Sequence, residues 1–474
     1  MPLPRLATDA ELDRLHDAVV RTLETVGFLV QDEPLRERMV AVGAIDAGGA
    51  QVRIPRRLLD EMLAPRLADP QPIPDGPPRI RWDLRPGIGS QLAQFYLDPA
   101  GGRVPGNAEL LAEIAQFGHV WQPPGAVGPA LLCCEAPPPV EPLESTLVIA
   151  QSTDRVGSPY LHLPEQVPYF AELGTILHGD PNSCLGICLF TVTPLRLDRR
   201  AGGLLRQLAE RGVHVWLGTQ PQAGASSPVT VAGTVVLGAA ELLAGWTAAF
   251  AVNPELKPGG GICSGVLDMR SADVSFCAPE AMLQDLLCVE LFRERYGGRC
   301  QVAGASSYTD AKFPGSQRGF EAAFEALTIY AYSGLPTGLG SGLLESGKTF
   351  SPVQFMLDHE FGRYFAHFGA GVGFSDDDLA LDSILEVGLG LGKSHLTSDH
   401  TLNHWRSLYT PRLLDRSFAG GADAARGEER LLAAAWEQWR EVLARYEPAC
   451  VEEARLREIE RVVAAARREL CGLD

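Results

Sequence analysis

The first 75 residues carry a repeating pattern of apolar positions that predicts amphipathic helices. Leucine and valine recur at helical spacing from Leu12 to Val26, and Thr8 with Glu11 has the spacing of a capping box. Residues 53–64 predict a second helix, and prolines and glycines crowd the stretch that follows it. We therefore expect residues 1–75 to form an N-terminal helical segment.

Residues 76–105 change to the alternating pattern of strands. Apolar and polar residues alternate around Arg79–Leu84 and Leu92–Leu97, and Asp98–Gly102 has the composition of a turn. The pattern predicts a hairpin that caps the next segment.

Between residues 106 and 375, short apolar runs alternate with longer amphipathic runs. This repeat predicts an α/β fold, and about seven strand-then-helix units favour a TIM-type (β/α)8 barrel over a doubly wound sheet, although both folds share the alternation. An eighth strand is not obvious; it falls near Phe117–Trp121 or after Gly369. Strands are predicted within Ala130–Cys134, Tyr160–Leu163, Cys184–Val192, Val213–Gly218, Gly261–Val266, Gln301–Ala305 and Pro336–Gly340. Helices are predicted near 143–153, 165–178, 199–211, 229–251, 279–296 and 317–332.

Residues 376–474 return to helical patterns and predict a C-terminal helical extension. Ser375 and Asp378 have capping spacing, and residues 428–470 are two charged amphipathic helices broken around Pro448. A long charged helix near the end of a chain often packs on a second chain, so we expect a homo-oligomer.

The charge balance excludes some partners. The 474-residue chain has 59 acidic and 41 basic residues, a net charge of -18, which argues against nucleic acid as the main ligand and weakly favours a cationic one. The apolar stretch Val229–Val252 is interrupted by Glu241 and by glycines, so we expect a buried helix and no membrane span. No secretory signal is visible at the N-terminus, and we expect a cytoplasmic protein with free thiols.

Polar residues that directly follow the apolar runs are the first candidates for chemistry, because the sites of parallel α/β barrels lie where strands end. Each alone is more often a cap or a solvated turn residue, and only their convergence on one rim would be informative. They are Glu135, His162, Gln220, Asp268, Tyr308, Asp310, Lys312 and Glu345.

Two stretches have a higher density of such residues. Residues 305–312 leave a strand and enter a helix, and residues 338–350 are glycine-rich with Glu345 near the middle. The glycine spacing matches neither nucleotide-binding motif. The helix after the first stretch has an apolar stripe that we expect to face the core: Phe320, Phe324, Leu327 and Ala331.

Histidines cluster towards the C-terminus. His400 and His404 are four residues apart, a spacing that can bind zinc on a helix, but the Glu of the zinc-protease signature is missing, and no cysteine pair has zinc-binding spacing. We therefore expect structural or hydrogen-bonding roles and no metal site. A Gly-x-Ser-x-Gly nucleophile turn is also missing, so hydrolysis by acyl transfer finds no support.

Ordered motifs along nearly the whole chain resemble the trimethylamine methyltransferase superfamily. The chain is similar to those members without pyrrolysine that act on glycine betaine. The matching motifs are Thr22–Gly27, Arg53–Pro55, Phe95–Asp98, Ser227–Gly233, Ala240–Glu241, Met269–Arg270, Pro279–Glu280, Thr309–Lys312, Gly340–Gly347, Phe350–Ser351, His400–Thr401 and Pro411–Asp415.

The resemblance implies a TIM-type barrel that moves a methyl group from a quaternary amine to the Co(I) form of a corrinoid, or cobalamin, held on a separate protein. A quaternary nitrogen leaves as a neutral tertiary amine, so the site has to position the methyl group rather than supply a proton. The substrate is expected to be glycine betaine-like, and the alternatives are a carnitine-like amine, proline betaine or a sulfonium compound. A non-catalytic onium-binding protein of the same fold is a further alternative.

The same resemblance suggests roles for individual residues. An onium group is best held by aromatic faces and carboxylates, which implies Glu345 and Asp310 as catalytic groups. The expected substrate-binding residues are Tyr96, Tyr308, Phe350, Lys348 and His359, and the expected corrinoid-binding residues are His395 and His400.

Overall fold

The computed structural model describes residues 3–69, 87–99, 102–298, 300–304, 308–333, 340–416 and 427–472. Three predictions lie wholly or mostly outside these residues: the strand Pro336–Gly340, of which only Gly340 is described, the hairpin segment Arg79–Leu84, and the boundary near residue 75.

The N-terminal segment folds as three helices with a small sheet between them. The predicted capping box is confirmed, since the Thr8 N–H donates to Glu11 Oε2 at 2.8 Å and the Glu11 N–H donates to Thr8 Oγ1 at 3.3 Å. The sequence signals missed the sheet because its strands are only three or four residues long. The elements are α1 (Asp9–Thr25), β1 (Phe28–Val30), α2 (Glu33–Ala41), β2 (Ile45–Gly48), β3 (Gln51–Arg53) and α3 (Arg56–Ala68).

All six helices predicted in the central region are confirmed. Their periodicity of 3.6 residues persists over three turns or more, which makes it the strongest local signal. The helices of this region are α4 (Ala108–Trp121), α5 (Glu141–Ser152), α6 (Val167–His178), α7 (Arg199–Glu210), α8 (Val231–Val252), α9 (Pro279–Arg295), α10 (Ser316–Ser333) and α11 (Pro352–Gly369). The strands from residue 95 onwards are β4 (Phe95–Leu97), β5 (Arg103–Pro105), β6 (Cys188–Phe190), β7 (Arg196–Leu197), β8 (Trp216–Thr219), β9 (Gln222–Ala223), β10 (Gly259–Ile262), β11 (Gly265–Leu267), β12 (Val274–Ser275), β13 (Cys300–Val302), β14 (Leu343–Leu344) and β15 (Thr349–Phe350).

A parallel sheet lies at the centre, with strands in the order β13-β10-β8-β6. Helices α7, α8 and α9 connect successive strands, and neighbours in the sheet follow chain order, as in a barrel. Two further strands were predicted around residues 130 and 160. Only isolated parallel bridges form there, one between Val127 and Val156 and one between Ala93 and Leu131. Within the described ranges the sheet is open, so the fold is α/β and the closed barrel stays a prediction.

Helix α8 is the most apolar element of the described chain. By length and composition it could cross a membrane, with a mean hydropathy of 1.8, but 72% of its most apolar stretch is buried inside the protein. It packs against α1, α2, α3 and α9. The prediction of a buried helix is therefore confirmed.

The predicted inward stripe of α10 is wrong. Phe320 is 76% exposed, whereas Arg318, Glu325 and Ile329 are buried. A buried Arg318–Asp358 ion pair at 3.3 Å explains the difference, because paired charges face the interior and apolar side chains are left outside.

The C-terminal helices are α12 (Asp376–Leu379), α13 (Leu381–Val387), α14 (Asp399–His404), α15 (Gly427–Leu443) and α16 (Glu453–Cys471). Of these, α15 and α16 pack on the rest of the same chain. The break around Pro448 is confirmed, and α16 lies against α5 and α6, while α15 lies against α4 and α11. The apolar face of α16 is thus covered without a second chain, and homo-oligomerisation stays a prediction.

Candidate functional site

A cavity of about 690 Å³ lies where the loops after β8, β11 and β13 meet the β14–β15 hairpin. It gathers five of the eight residues predicted at strand ends, together with Lys348. They are Gln220, Asp268, Asp310, Lys312 and Glu345. Five of the eight residues therefore lie at one cavity, and their roles stay predictions.

The cavity wall carries charged groups of both signs. Four carboxylates line it, those of Asp268, Asp273, Asp310 and Glu345, against the two ammonium groups of Lys312 and Lys348. Arg270 forms an ion pair with Asp268 at 3.0 Å and lowers the pKa of Asp268 to about 2, so this carboxylate is ionised and already paired.

Glu345 is held in the turn between β14 and β15. Both Glu345 and Ser346 have positive φ angles, 53° and 56°, a backbone region that non-glycine residues rarely adopt. The Glu345 N–H donates to Ala311 O at 2.9 Å and the Ser346 N–H donates to Thr309 O at 2.8 Å. The two polar-rich stretches singled out in the sequence are therefore bonded to each other.

The Glu345 carboxylate has two partners that the sequence did not reveal. Arg103 Nη1 donates to both carboxylate oxygens at 3.0 and 2.8 Å, and Thr349 Oγ1 donates to one of them. Burial raises the pKa of Glu345, but hydrogen bonds from Thr349 and Arg103 outweigh it and leave the pKa below its ordinary value. Ionised Glu345 thus stabilises the hairpin at neutral pH, and this contribution is lost as pH falls through the lowered pKa.

Glu345→Gln tests whether this carboxylate faces a substrate cation or only tethers the hairpin. In the substrate-facing case we expect Glu345→Gln to weaken binding of a quaternary amine by about tenfold, the effect of losing about 1.4 kcal/mol. Arg103→Met serves as the matched control, because it removes the same ion pair and keeps the carboxylate. Equal losses of affinity in the two variants, measured by calorimetry, would show a tether.

Asp310 is one of three half-buried carboxylates of the cavity, together with Asp268 and Glu345. Its backbone N–H donates to Glu321 Oε2 at 2.9 Å, which fixes the loop against α10. Among the described residues no basic side chain forms an ion pair with Asp310. Its carboxylate is therefore better placed than that of Glu345 to meet a cationic ligand.

The ring of Tyr308 lies between two glycines. A Cβ atom would come within 2.2 Å of the ring at Gly304 and within 2.4 Å at Gly347, and both glycines have positive φ. The ring centroid is 5.9 Å from that of Phe276, which lines the cavity. Burial raises the pKa of Tyr308, so its hydroxyl is neutral at physiological pH.

Gly347→Ala should destabilise the protein by about 1–3 kcal/mol, because the new methyl group overlaps Tyr308. Gly48→Ala is the matched control, since Gly48 has nearly the same φ, 82° against 84°, with nothing within 4 Å of its would-be Cβ. Chemical denaturation should show a smaller loss for the control. Equal losses would mean that backbone strain, rather than contact with Tyr308, fixes this glycine.

Three predicted substrate-binding aromatics, Tyr96, Tyr308 and Phe350, are not among the residues that line the cavity. Phe350 is fully buried in the core, and Tyr96 stacks on it with ring centroids 6.3 Å apart. The Tyr96 hydroxyl donates to Glu113 Oε1 at 3.5 Å. The motif positions of Tyr96 and Phe350 carry a structural signal, because β15 pairs with β4 and brings both rings together.

The three predicted histidines also lie away from the cavity lining. His359 on α11 makes an edge contact with Trp121, with ring centroids 4.6 Å apart. His395 precedes α14, and His400 lies on it. His400 and Asp377 line a second depression, which shares no lining residue with the cavity.

Glu241 is a buried residue whose role the sequence analysis missed. Its carboxylate accepts hydrogen bonds from Thr191 Oγ1 at 2.8 Å, Thr193 Oγ1 at 2.9 Å and the Leu195 N–H at 2.7 Å, and also from Thr219. It therefore ties together the ends of β6 and β8, next to the cavity. The sequence signal that could have found this role is that Glu241 is the one acidic residue within the apolar pattern of α8.

Comparison with known proteins gives matches over the whole chain. The family model for trimethylamine methyltransferase (MTTB) matches residues 1–471. Glycine betaine methyltransferase of Desulfitobacterium hafniense strain Y51 is 27% identical over 470 residues, 95% of each chain. Trimethylamine methyltransferase MttB1 of Methanosarcina mazei is 30% identical over 338 residues, 70% of this chain and 66% of the relative.

Two solved structures are similar to this chain at lower sequence identity. A hydroxylamine complex of MtmB is 11% identical with a TM-score of 0.48, covering 94% of this chain and 89% of that one. The monomethylamine methyltransferase MtmB of Methanosarcina barkeri is also 11% identical, with a TM-score of 0.43, covering 92% of this chain and 88% of its own.

Proposed function

Because the chain belongs to the trimethylamine methyltransferase family, we propose that it transfers a methyl group from a glycine betaine-like quaternary amine to a corrinoid. The observation that carries this proposal is the cavity lined by Asp310 and Phe276, whose ring centroid lies 5.9 Å from that of the half-buried Tyr308. The (β/α)8 barrel and a cytoplasmic location are parts of the same proposal.

The cavity offers the contacts that a trimethylammonium group needs. Such a group has no N–H to donate, so it is held by an anionic charge and by aromatic rings, each ring contributing about 0.5–2 kcal/mol. Asp310 supplies the charge and Phe276 supplies a ring of the cavity lining, and the Tyr308 ring lies next to that of Phe276. Lys312 and Lys348 line the same cavity and can meet the carboxylate of a betaine.

The corrinoid is expected on a separate protein, so this chain has to admit it rather than ligate it. Asp273, Lys312 and Lys348 are exposed around the cavity, and this access from solvent fits a group delivered from outside. A corrinoid delivered there would supply a Co(I) nucleophile for the methyl group, and the electron pair of the C–N bond would stay on the leaving amine. The prediction that His395 and His400 face the corrinoid rests on the family resemblance and stays a prediction.

The leaving amine is neutral, so no residue of the chain has to act as an acid. Asp310 stabilises the cation in the ground state and must hold it without blocking the methyl group that faces the opening. Positioning and exclusion of water are therefore the work that the cavity residues perform.

The test is turnover with a panel of onium compounds in the presence of a reduced corrinoid protein. We expect one of glycine betaine, carnitine, proline betaine and a sulfonium analogue to yield its demethylated product while the Co(I) absorbance falls. If calorimetry shows tight binding of one compound with no product from any of them, the chain is an onium-binding protein. If neither binding nor product is seen, the proposal is wrong.

A further inference from the structure

Residues 371–408, here called the tail segment, fold without a core of their own. No residue of the three helices α12, α13 and α14 is buried. Apolar side chains of the tail segment face solvent, including Leu389 at 91% and Leu391 at 88% exposure. A small unit that cannot bury apolar surface needs another device to hold its helices together, and a bound metal is one such device.

Three potential metal ligands meet where α12 and α14 approach each other. His404 Nε2 lies 3.0 Å from Asp377 Oδ2, and His400 Nε2 lies 3.1 Å from the backbone oxygen of Asp377. The two imidazole rings are stacked with centroids 4.4 Å apart. Ligand atoms of all three side chains lie within 4.8 Å of one another, so small side-chain adjustments could bring them to the spacing of about 3.3 Å around tetrahedral zinc.

The chemistry of the three groups selects the class of metal. Two imidazole nitrogens and one carboxylate oxygen form a three-ligand zinc site with one position left for water. Magnesium and calcium prefer oxygen ligands, so the histidine pair disfavours them. Further carboxylates surround the ligands in the same depression and attract a divalent cation: Asp376, Asp382, Glu386 and Asp399.

We propose that Asp377, His400 and His404 bind a divalent ion of the zinc class, which pins α12 to α14. The histidine spacing alone did not predict this site, because the third ligand lies 23 residues upstream of His400. If His400 binds the metal ion, it is not available to bind the corrinoid. The predicted corrinoid-binding role would then be left to His395. The proposal concerns a structural ion and does not depend on methyl transfer.

The test measures zinc binding directly, with zinc chloride as the ligand. The protein is prepared without a histidine tag, its exposed cysteines Cys134 and Cys450 are alkylated so that accessible thiols cannot bind metal, and metal is removed with EDTA. Titration calorimetry and elemental analysis should then show one zinc per chain. A wild-type protein that retains no zinc after gel filtration would overturn the proposal.

Variants locate the ion. The double variant His400→Ala/His404→Ala should lose the bound zinc, whereas His178→Ala/His214→Ala, which removes two exposed histidines elsewhere, should keep it. Zinc uptake that is unchanged in the first variant would overturn the proposal. Asp377→Asn is the second variant, expected to weaken zinc binding at least tenfold if the first fails to fold.

A structural readout completes the test. With zinc bound, cleavage by a protease within residues 371–408 should slow several-fold, and EDTA should restore the fast rate in the wild type but change nothing in Asp377→Asn. Equal sensitivity to EDTA in both proteins would contradict the pinning of α12 to α14.

Discussion

Asp310→Asn is expected to reduce kcat/KM for the quaternary amine by about 30-fold or more, which corresponds to a loss of about 2 kcal/mol. Asp310 is the half-buried carboxylate of the cavity that forms no ion pair among the described residues, so its charge is available to the onium group. Asparagine keeps the size of the side chain and removes only the charge. Steady-state kinetics and calorimetry measure the effect.

Asp268→Asn is the matched control for Asp310→Asn, because it makes the same change on the same cavity. Asp268 is already paired with Arg270 at 3.0 Å, and an exposed pair of this kind contributes little. We therefore expect a change of less than about threefold, the effect of less than 1 kcal/mol. Equal losses in the two variants would mean that the cavity responds to its total charge and that Asp310 has no specific contact.

The largest effect on stability is expected from Arg318→Met, which should lower the free energy of unfolding by about 3–5 kcal/mol. The change leaves the buried carboxylate of Asp358 without the guanidinium 3.3 Å away. Asp358 also accepts hydrogen bonds from the Gly342 N–H at 2.9 Å and from Gln354 at 2.7 Å, so it anchors the start of the β14–β15 hairpin. Denaturant unfolding followed by circular dichroism measures the loss.

The double variant Arg318→Met/Asp358→Leu separates the cost of the stranded charge from the contribution of the pair. Replacing both partners by apolar groups removes the uncompensated charge, and we expect the double variant to be more stable than Arg318→Met alone. A double variant that is less stable than the single one would show that the hydrogen bonds of Asp358 matter more than its charge.

Local patterns in the sequence predicted the helices and the convergence of residues on one rim. Both follow from short-range rules, since helical periodicity repeats along one element and parallel strands end on the same side of a sheet. Asp310, Lys312 and Glu345 were found in this way. The strands predicted around residues 130 and 160 were not confirmed, because a short apolar run does not reveal whether a neighbouring strand is present to pair with it.

Partners that depend on distant parts of the chain could not be predicted. Arg103 and Glu345 are 242 residues apart, and nothing local to either residue indicates that β4 and β15 pair. Buried charge misled the interpretation of α10, because Arg318 and Glu325 look like a solvent-facing side when read from sequence. The structural role of Tyr96 and Phe350 depends on the same long-range pairing, because it brings the two rings together against the core.

The pairing of β4 with β15 has a consequence for biosynthesis. The β14–β15 hairpin that carries Glu345 joins the sheet order β14-β15-β4-β5, so strands near residues 95 and 350 must meet before Glu345 can reach Arg103. Contacts of such large sequence separation form late because closing a long loop costs entropy. On the ribosome, the parallel sheet and its helices can form first. The cavity wall that contains the β14–β15 hairpin cannot form until residue 350 has left the exit tunnel. A nascent chain stalled before that point would therefore lack a binding site even where its helices are already folded.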